Sequence, residues 1–151
     1  MNLQDEIKAL KERIAELEVQ VEKEQAFPQD GDTYSYINTY GGVESDIWEG
    51  HFAERNMVKI GNFFKTEEEA EFVAEKLRVE AELRKFSRPF ESMTDNFIIV
   101  FDRETYKLGV KAVIFSDIQG AIYFDTTTVA EEAIETVGKE RIKKYIFGVR
   151  E

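Results

Sequence analysis

The sequence contains few residues whose type and spacing could support catalysis. His51 is the only histidine and cysteine is absent, so thiol nucleophiles, thiolate metal sites and disulfides are excluded. No second histidine accompanies His51 in a metal-ligand spacing, and no serine or aspartate near it suggests a catalytic triad. Asp102 and Glu104 fall in a predicted hairpin turn, with no acid placed across a pocket from them as a hydrolase would need. We therefore predict no enzymatic activity, no catalytic or metal-ligating residue and no cofactor.

Aromatic and arginine side chains are the better candidates for binding a ligand or a partner. The first half of the domain concentrates aromatic residues, among them Tyr34, Tyr36 and Trp48. Aromatic faces can stack on bases or anchor a protein partner, but they also build cores, and the sequence leaves both roles open. Arg84 and Arg88 could hold a phosphate or an acidic partner, or could complement a helix C-terminus. These five residues are the predicted candidates for binding a ligand or a partner.

The charge of the chain limits the kinds of partner. It carries 20 lysines and arginines against 31 aspartates and glutamates, a formal net charge of −11. A field of this sign repels nucleic acid in general, so direct nucleic-acid binding is not expected. The carboxylates could imitate phosphates for another protein, or could serve only solubility. No apolar run approaches the length of a membrane span and the N-terminus is charged, unlike a signal peptide, so we expect a cytoplasmic protein without a membrane partner.

A heptad repeat at the N-terminus predicts how the chain assembles. Its apolar residues are separated by alternating steps of four and three residues and are Leu3, Ile7, Leu10, Ile14, Leu17 and Val21. Leucine at d with β-branched residues at a favours a parallel two-stranded coiled coil, in which Glu6 would face Lys11 of the other chain. Residues 1–25 are therefore a predicted oligomerisation helix that forms a homodimer or a larger assembly. The alternative is an amphipathic helix packed on its own domain.

The rest of the chain predicts a linker and one folded domain. Residues 26–32 (AFPQDGD) are the predicted linker, because Pro28 ends a helix and Asp30 with Gly31 signals a turn. Residues 33–151 are a predicted α+β domain, an antiparallel sheet with helices packed on one side.

Alternation of apolar and polar residues, and a continuous apolar run at 96–101 (NFIIVF), predict the strands of this domain. A hairpin is expected over 33–37 and 43–48, and a three-stranded antiparallel meander over 96–101, 106–115 and 121–124. Shorter segments are assigned as a polar loop at 51–56, a strand at 57–60 and a return to the sheet at 146–149.

Capping signals predict the helices of the domain. Thr66 with Glu69, and Thr128 with Glu131, each have the spacing of a capping box. The helices are expected over 67–86, from 129 to about 138, and over 139–145.

Three segments resemble a known group of proteins. Residues 61–71 (GNFFKTEEEAE), 77–83 (LRVEAEL) and 140–149 (ERIKKYIFGV), with Trp48 upstream, resemble a family of small accessory proteins of bacteriophages and prophages. The resemblance covers most of residues 30–151, and its motifs are a turn, a cap and core positions. Members typically join a short N-terminal coil to an α+β domain. The resemblance transfers no catalytic residue.

The resemblance implies a role inside a host bacterial cell. Small non-catalytic phage proteins are often antagonists of host immunity, so we expect an anti-CRISPR-like inhibitor that binds a host defence protein. The alternative is a sponge that holds a nucleotide messenger in a pocket between subunits, using the aromatic residues with Arg84 or Arg88.

Overall fold

The computed structural model describes residues 2–150 and has an α+β fold. In chain order its elements are α1 (Leu3–Gln25), β1 (Thr33–Ile37), β2 (Val43–Ile47), α2 (Phe52–Ile60), α3 (Glu67–Arg84), β3 (Asn96–Asp102), β4 (Lys107–Val113), α4 (Thr127–Val137) and α5 (Lys139–Tyr145). The α+β class is therefore confirmed, whereas two separate two-stranded sheets replace the single predicted sheet. Met1, the first residue of the predicted oligomerisation helix, and Glu151, the last residue of the predicted α+β domain, lie outside the described residues.

Helix α1 forms where the heptad pattern predicts it. The Asn2 side chain caps its N-terminus by accepting a hydrogen bond from the amide of Asp5 at 2.9 Å. Every residue from 2 to 24 is exposed, so α1 does not pack on the domain that follows it. The alternative of an amphipathic helix lying on its own domain is therefore wrong for this chain. The coiled coil itself stays a prediction, because it requires a second copy.

The predicted linker, residues 26–32, is held against the domain. The ring of Phe27 lies 5.3 Å from the ring of Phe63, and the Gly31 amide donates to the Trp48 carbonyl at 3.1 Å. This segment therefore anchors the point at which α1 leaves the domain.

The β1–β2 hairpin has the predicted antiparallel pairing and lies beside the start of α3. Its register places Ser35 opposite Ser45. Ser35 also exchanges two backbone hydrogen bonds of 2.9 Å with Phe64, and the Asn62 side chain bonds the amide and the carbonyl of Ile37 at 2.7 and 2.8 Å. These bonds join the hairpin to the segment that leads into α3.

Helix α2 corrects two assignments, because the predicted loop and strand over 51–60 form one helix. The sequence offers no Ser, Thr, Asp or Asn as its N-cap. Instead the Glu54 carboxylate folds back and accepts the amides of His51 at 2.9 Å and Glu49 at 3.2 Å. Gly61 ends the helix in the left-handed conformation, with φ of 79°.

The other helices begin at threonine caps. Thr66 accepts a hydrogen bond from the amide of Glu69 at 3.2 Å, as predicted, while the Glu69 carboxylate reaches the amide of Lys65 at 3.2 Å. Helix α4 is capped by Thr126 and not by Thr128, because Thr126 is the last extended residue before the helix. The predicted start of this helix is therefore corrected by two residues.

Residues 121–124 do not form the third strand of a meander. Phe124 exchanges backbone hydrogen bonds of 2.8 and 3.1 Å with Phe97 of β3, and the Arg88 amide donates to the Tyr123 carbonyl at 2.9 Å. The segment thus lies on the side of β3 that faces away from β4. Helix α4 starts at Thr127, which leaves too few residues for a full strand.

The core lies where α3, α4 and α5 meet β3. Its buried residues are Val79, Leu83, Phe124, Ala130, Ala133, Ile134, Val137 and Ile142. The predicted return of 146–149 to the sheet is wrong. Gly148 turns the chain with φ of 66°, and the Val149 amide instead donates to the Lys143 carbonyl at 3.0 Å.

Candidate functional site

A continuous apolar stripe on α1 is open to solvent. We call it the α1 seam; its six side chains are 43–77% exposed and are Leu3, Ile7, Leu10, Ile14, Leu17 and Val21. Charged residues flank it, and Arg13 pairs with Glu16 of its own helix at 3.1 Å. A contiguous apolar stripe rimmed by charges is typical of an interaction surface.

The aromatic residues of the predicted ligand site form a packed cluster. Tyr34 stacks on Phe63 with ring centroids 4.6 Å apart, and Trp48 meets Phe63 edge-on at 5.3 Å. Tyr34 is only 1% exposed, so its ring offers no face to a ligand and its assignment as a contact residue is corrected. Tyr36 and Trp48 are half-buried beside it. The cluster therefore belongs to the structure of the β1–β2 hairpin.

A buried polar contact lies next to this cluster. Burial raises the pKa of Tyr34 above its ordinary value, and its hydrogen bond to the Glu54 carboxylate raises it further. For Glu54, burial alone would raise the pKa, but the His51 amide, the Tyr34 hydroxyl and the Glu49 amide outweigh it and lower the pKa. The neighbouring His51 ring contacts Glu49 at 2.6 Å. The pair thus consists of a neutral phenol and an ionised carboxylate.

Arg88 has a structural role that the sequence did not reveal. Its guanidinium donates to Asp125 at 2.9 Å, to the Asn96 side chain at 2.7 Å and to the Asp95 carbonyl at 2.8 Å. Asn96 is fully buried and is the residue that sequence reasoning missed. Its side chain bonds Glu91, Thr94 and Arg88 in the irregular segment before β3 and Val113 of β4, and an irregular segment has no periodicity from which these contacts could be predicted. Arg88 also donates to the Pro89 carbonyl at 2.9 Å, so four of its five N–H donors are engaged and it has one donor left with which to hold a phosphate.

The five predicted ligand residues are not brought together. The aromatic cluster contains Phe63, which precedes α3, whereas Arg84 is the exposed last residue of that helix. The 18 residues of α3 span about 27 Å. The aromatic residues of one chain therefore lie apart from its own Arg84, and a pocket between subunits that combines the aromatic residues with Arg84 or Arg88 stays a prediction.

A groove of about 770 Å³ between α3 and α5 has the volume of a small-molecule site. Phe64 and Phe72 contribute apolar surface to it. Three cations and three carboxylates also line it, namely Lys143, Lys144, Arg150, Glu68, Glu69 and Glu140, and Lys143 pairs with Glu140 at 3.3 Å. Within residues 2–150, every buried side-chain nitrogen and oxygen already has a hydrogen-bond partner. No buried polar group of this region is therefore left over to orient a ligand.

No family model, curated protein or solved structure matches this chain. None of the described helices combines the length and apolar character of a membrane span. Among residues 2–150, no cluster of three or more histidine, aspartate or glutamate side chains could hold a metal ion. Function is therefore inferred from exposed surfaces, of which the α1 seam is the most regular.

Proposed function

We propose that this chain is a non-enzymatic binding protein that self-associates through the α1 seam. The observation that carries the proposal is the exposure of all six seam residues on a helix that leaves the domain without packing on it. Leucine and isoleucine side chains in a strict heptad spacing gain free energy when a second helix removes them from water. A second copy of α1 supplies the matching seam.

The assembled protein acts, in this proposal, by occupying the surface of a partner protein. The resemblance of residues 61–71 and 140–149 to phage accessory proteins supports a host defence factor in the bacterial cytoplasm as that partner. The net charge of −11 favours a partner with a basic surface, because opposite potentials accelerate the encounter. Binding would inhibit the factor as anti-CRISPR proteins do, without chemical turnover.

A second candidate function is sequestration of a nucleotide messenger. The groove between α3 and α5 favours it, because Phe64 and Phe72 could contact a base while Lys143 and Lys144 face a phosphate. Absorbance of the supernatant after denaturation of the purified protein separates the two functions. Released nucleotide favours sequestration, and its absence favours the protein partner.

Self-association is tested with a matched pair of substitutions on α1. Ile14→Asp places a carboxylate in a dry a layer, whereas Ala15→Asp places the same group outside the seam on the same exposed helix. Sedimentation at about tens of micromolar protein should show a dimer or larger species for wild type and Ala15→Asp, and a monomer for Ile14→Asp. A monomeric wild type at that concentration would overturn the proposal.

A further inference from the structure

The backbone hydrogen bonds of β3 reveal which groups of β4 are free. In an antiparallel pair, the N–H and C=O of one residue point to the same side, and successive residues alternate. Phe97 uses both groups to bond Phe124, so they point away from β4. The partner of Phe97 in the register is Ala112, whose own N–H and C=O must therefore point away from β3.

The same alternation applies along the whole strand. Every second residue of β4, counted back from Ala112, has its N–H and C=O on the same side as those of Ala112. These residues are Leu108, Val110 and Ala112, which lie opposite Phe101, Ile99 and Phe97 of β3. Their amides and carbonyls form the outer edge of β4. Within residues 2–150 no backbone group bonds this edge, since β4 pairs only with β3. It presents three donors and three acceptors at the spacing of a β-strand.

A groove of about 610 Å³ runs between this edge and α4. We call it the β4–α4 groove; it is lined by Leu108 and Val110 of the strand, by Ile134 and Glu131 of α4, and by Lys139 of α5. The apolar side chains of Leu108 and Val110 pack against the core cluster and supply part of its lining. An added strand would thus meet hydrogen-bonding groups along its backbone. Its alternate side chains would meet the apolar Leu108, Val110 and Ile134, beside charged groups that also include Glu135 and Lys143.

We propose that the outer edge of β4 accepts an extended segment of a partner protein as an additional strand. Backbone hydrogen bonds would supply affinity, and the β4–α4 groove would select apolar residues at every second position of that segment. At the intervening positions the segment would face Lys111, so hydrogen-bond acceptors or carboxylates are expected there. The inference rests on the proposed function only in assuming a protein partner, and it does not require the α1 seam.

A second copy of β4 is a poorer occupant of this edge. Two-fold antiparallel pairing of β4 with itself would place both copies of α4 on the same face of the joined sheet. The other face of the joined sheet would then carry Lys107 and Lys111 of both copies, and like charges opposite each other on a sheet are destabilising.

The first test asks which linear peptides bind the chain. A displayed library of random linear peptides is selected on the full chain carrying Ile14→Asp, so that the α1 seam contributes nothing to oligomerisation. The selected peptides should have apolar residues at alternate positions. Failure to select any such peptide would overturn the inference.

Two variants at one position then locate the binding. Ala112→Pro removes the outward N–H and leaves the ladder to β3 intact, because that N–H is not used in the ladder. Ala112→Thr keeps the N–H, and Ala112 is exposed, so neither change opens the core. The proline variant should weaken peptide binding by about tenfold or more, the equivalent of losing one hydrogen bond, and the threonine variant by less than about twofold. Equal binding to both variants would overturn the inference.

Hydrogen exchange of the unsubstituted strand gives a readout that does not depend on the folding of the proline variant. Peptide binding should slow exchange at the amides of Leu108, Val110 and Ala112 and leave Gly109 and Lys111, which already face β3, unchanged. No slowing at the three amides, or slowing that rises with protein concentration without peptide, would overturn the inference, the latter in favour of a second copy. Edge binding with a monomeric wild type would instead overturn only the proposed self-association.

Discussion

Tyr34 on β1 and Glu54 on α2 shift each other's pKa in opposite directions, upward for the phenol and downward for the carboxylate, as expected of a hydrogen-bond donor beside its acceptor. Both residues are buried, and Glu54 also accepts the amide of His51 at 2.9 Å. One carboxylate therefore caps α2 and attaches it to the hairpin. Loss of the hydroxyl removes one donor from a buried acceptor, which is more harmful than loss of an exposed hydrogen bond.

We predict that Tyr34→Phe lowers the free energy of unfolding by about 1–2 kcal/mol, the loss expected when a buried acceptor loses its donor. Tyr40→Phe is the matched control, because Tyr40 is 95% exposed. Urea unfolding followed by circular dichroism measures both. Equal stability of the two variants would show that the contact does not stabilise the fold.

Alkaline pH should weaken the folded protein through the same tyrosine. Burial and the Glu54 carboxylate raise the pKa of Tyr34, so the folded state holds the phenolic proton after the unfolded state has released it. The contribution of the raised Tyr34 pKa to the free energy of unfolding is therefore complete below a pH of about 10 and is lost as the pH rises above that value. Urea unfolding over this range should show a smaller decline for Tyr34→Phe. A tyrosinate absorbance titration of the folded protein, in which wild type loses one more proton near the ordinary value than Tyr34→Phe does, would contradict the prediction.

The two predicted anion-binding arginines should behave differently on substitution. Arg88→Ala leaves the buried side chain of Asn96 without its charged donor, so we expect a loss of about 2–3 kcal/mol in unfolding free energy. Arg84→Ala should change it by less than about 0.5 kcal/mol, because Arg84 is exposed. Thermal and urea unfolding of the two variants compare them directly. Equal effects would mean that the Arg88 contacts contribute no net stability.

The orientation of the α1 pair can be measured by disulfide crosslinking, since the chain has no native cysteine. In a parallel pair, the two copies of residue 3 lie side by side, and a disulfide needs Cα atoms within about 7 Å. Leu3→Cys should therefore crosslink with itself under mild oxidation. A mixture of Leu3→Cys and Val21→Cys chains is the control. Efficient bonding between positions 3 and 21, with none between two copies of position 3, would establish an antiparallel pair.

Association with the proposed protein partner should slow as salt increases. Attraction between exposed charges is screened beyond about 8–10 Å at physiological ionic strength, and long-range charge acts mainly on the association rate. Stopped-flow mixing at increasing salt measures that rate. A nucleotide that copurifies at one or more per oligomer and stays bound in high salt would contradict this prediction and favour sequestration.

Local sequence signals determined the elements whose stabilising contacts are near in the chain. The heptad spacing located α1, alternation located the β1–β2 and β3–β4 hairpins, and Thr66 located the start of α3. Each signal reflects a periodicity or a cap that acts within a few residues. The charge and the absence of cysteine likewise constrained the chemistry before any fold was known.

Tertiary structure alone decided the features that depend on contacts between distant segments. The Glu54 carboxylate accepts the nearby His51 amide, but the Tyr34 phenol that lies beside it comes from β1, twenty residues earlier in the chain. Phe124 takes both backbone groups of Phe97, and this contact shows that the backbone groups of Ala112, opposite Phe97, point away from β3. A hydrogen bond between residues far apart in sequence produces no periodic pattern in the sequence. It stabilises the protein only when folding brings both groups together and out of water.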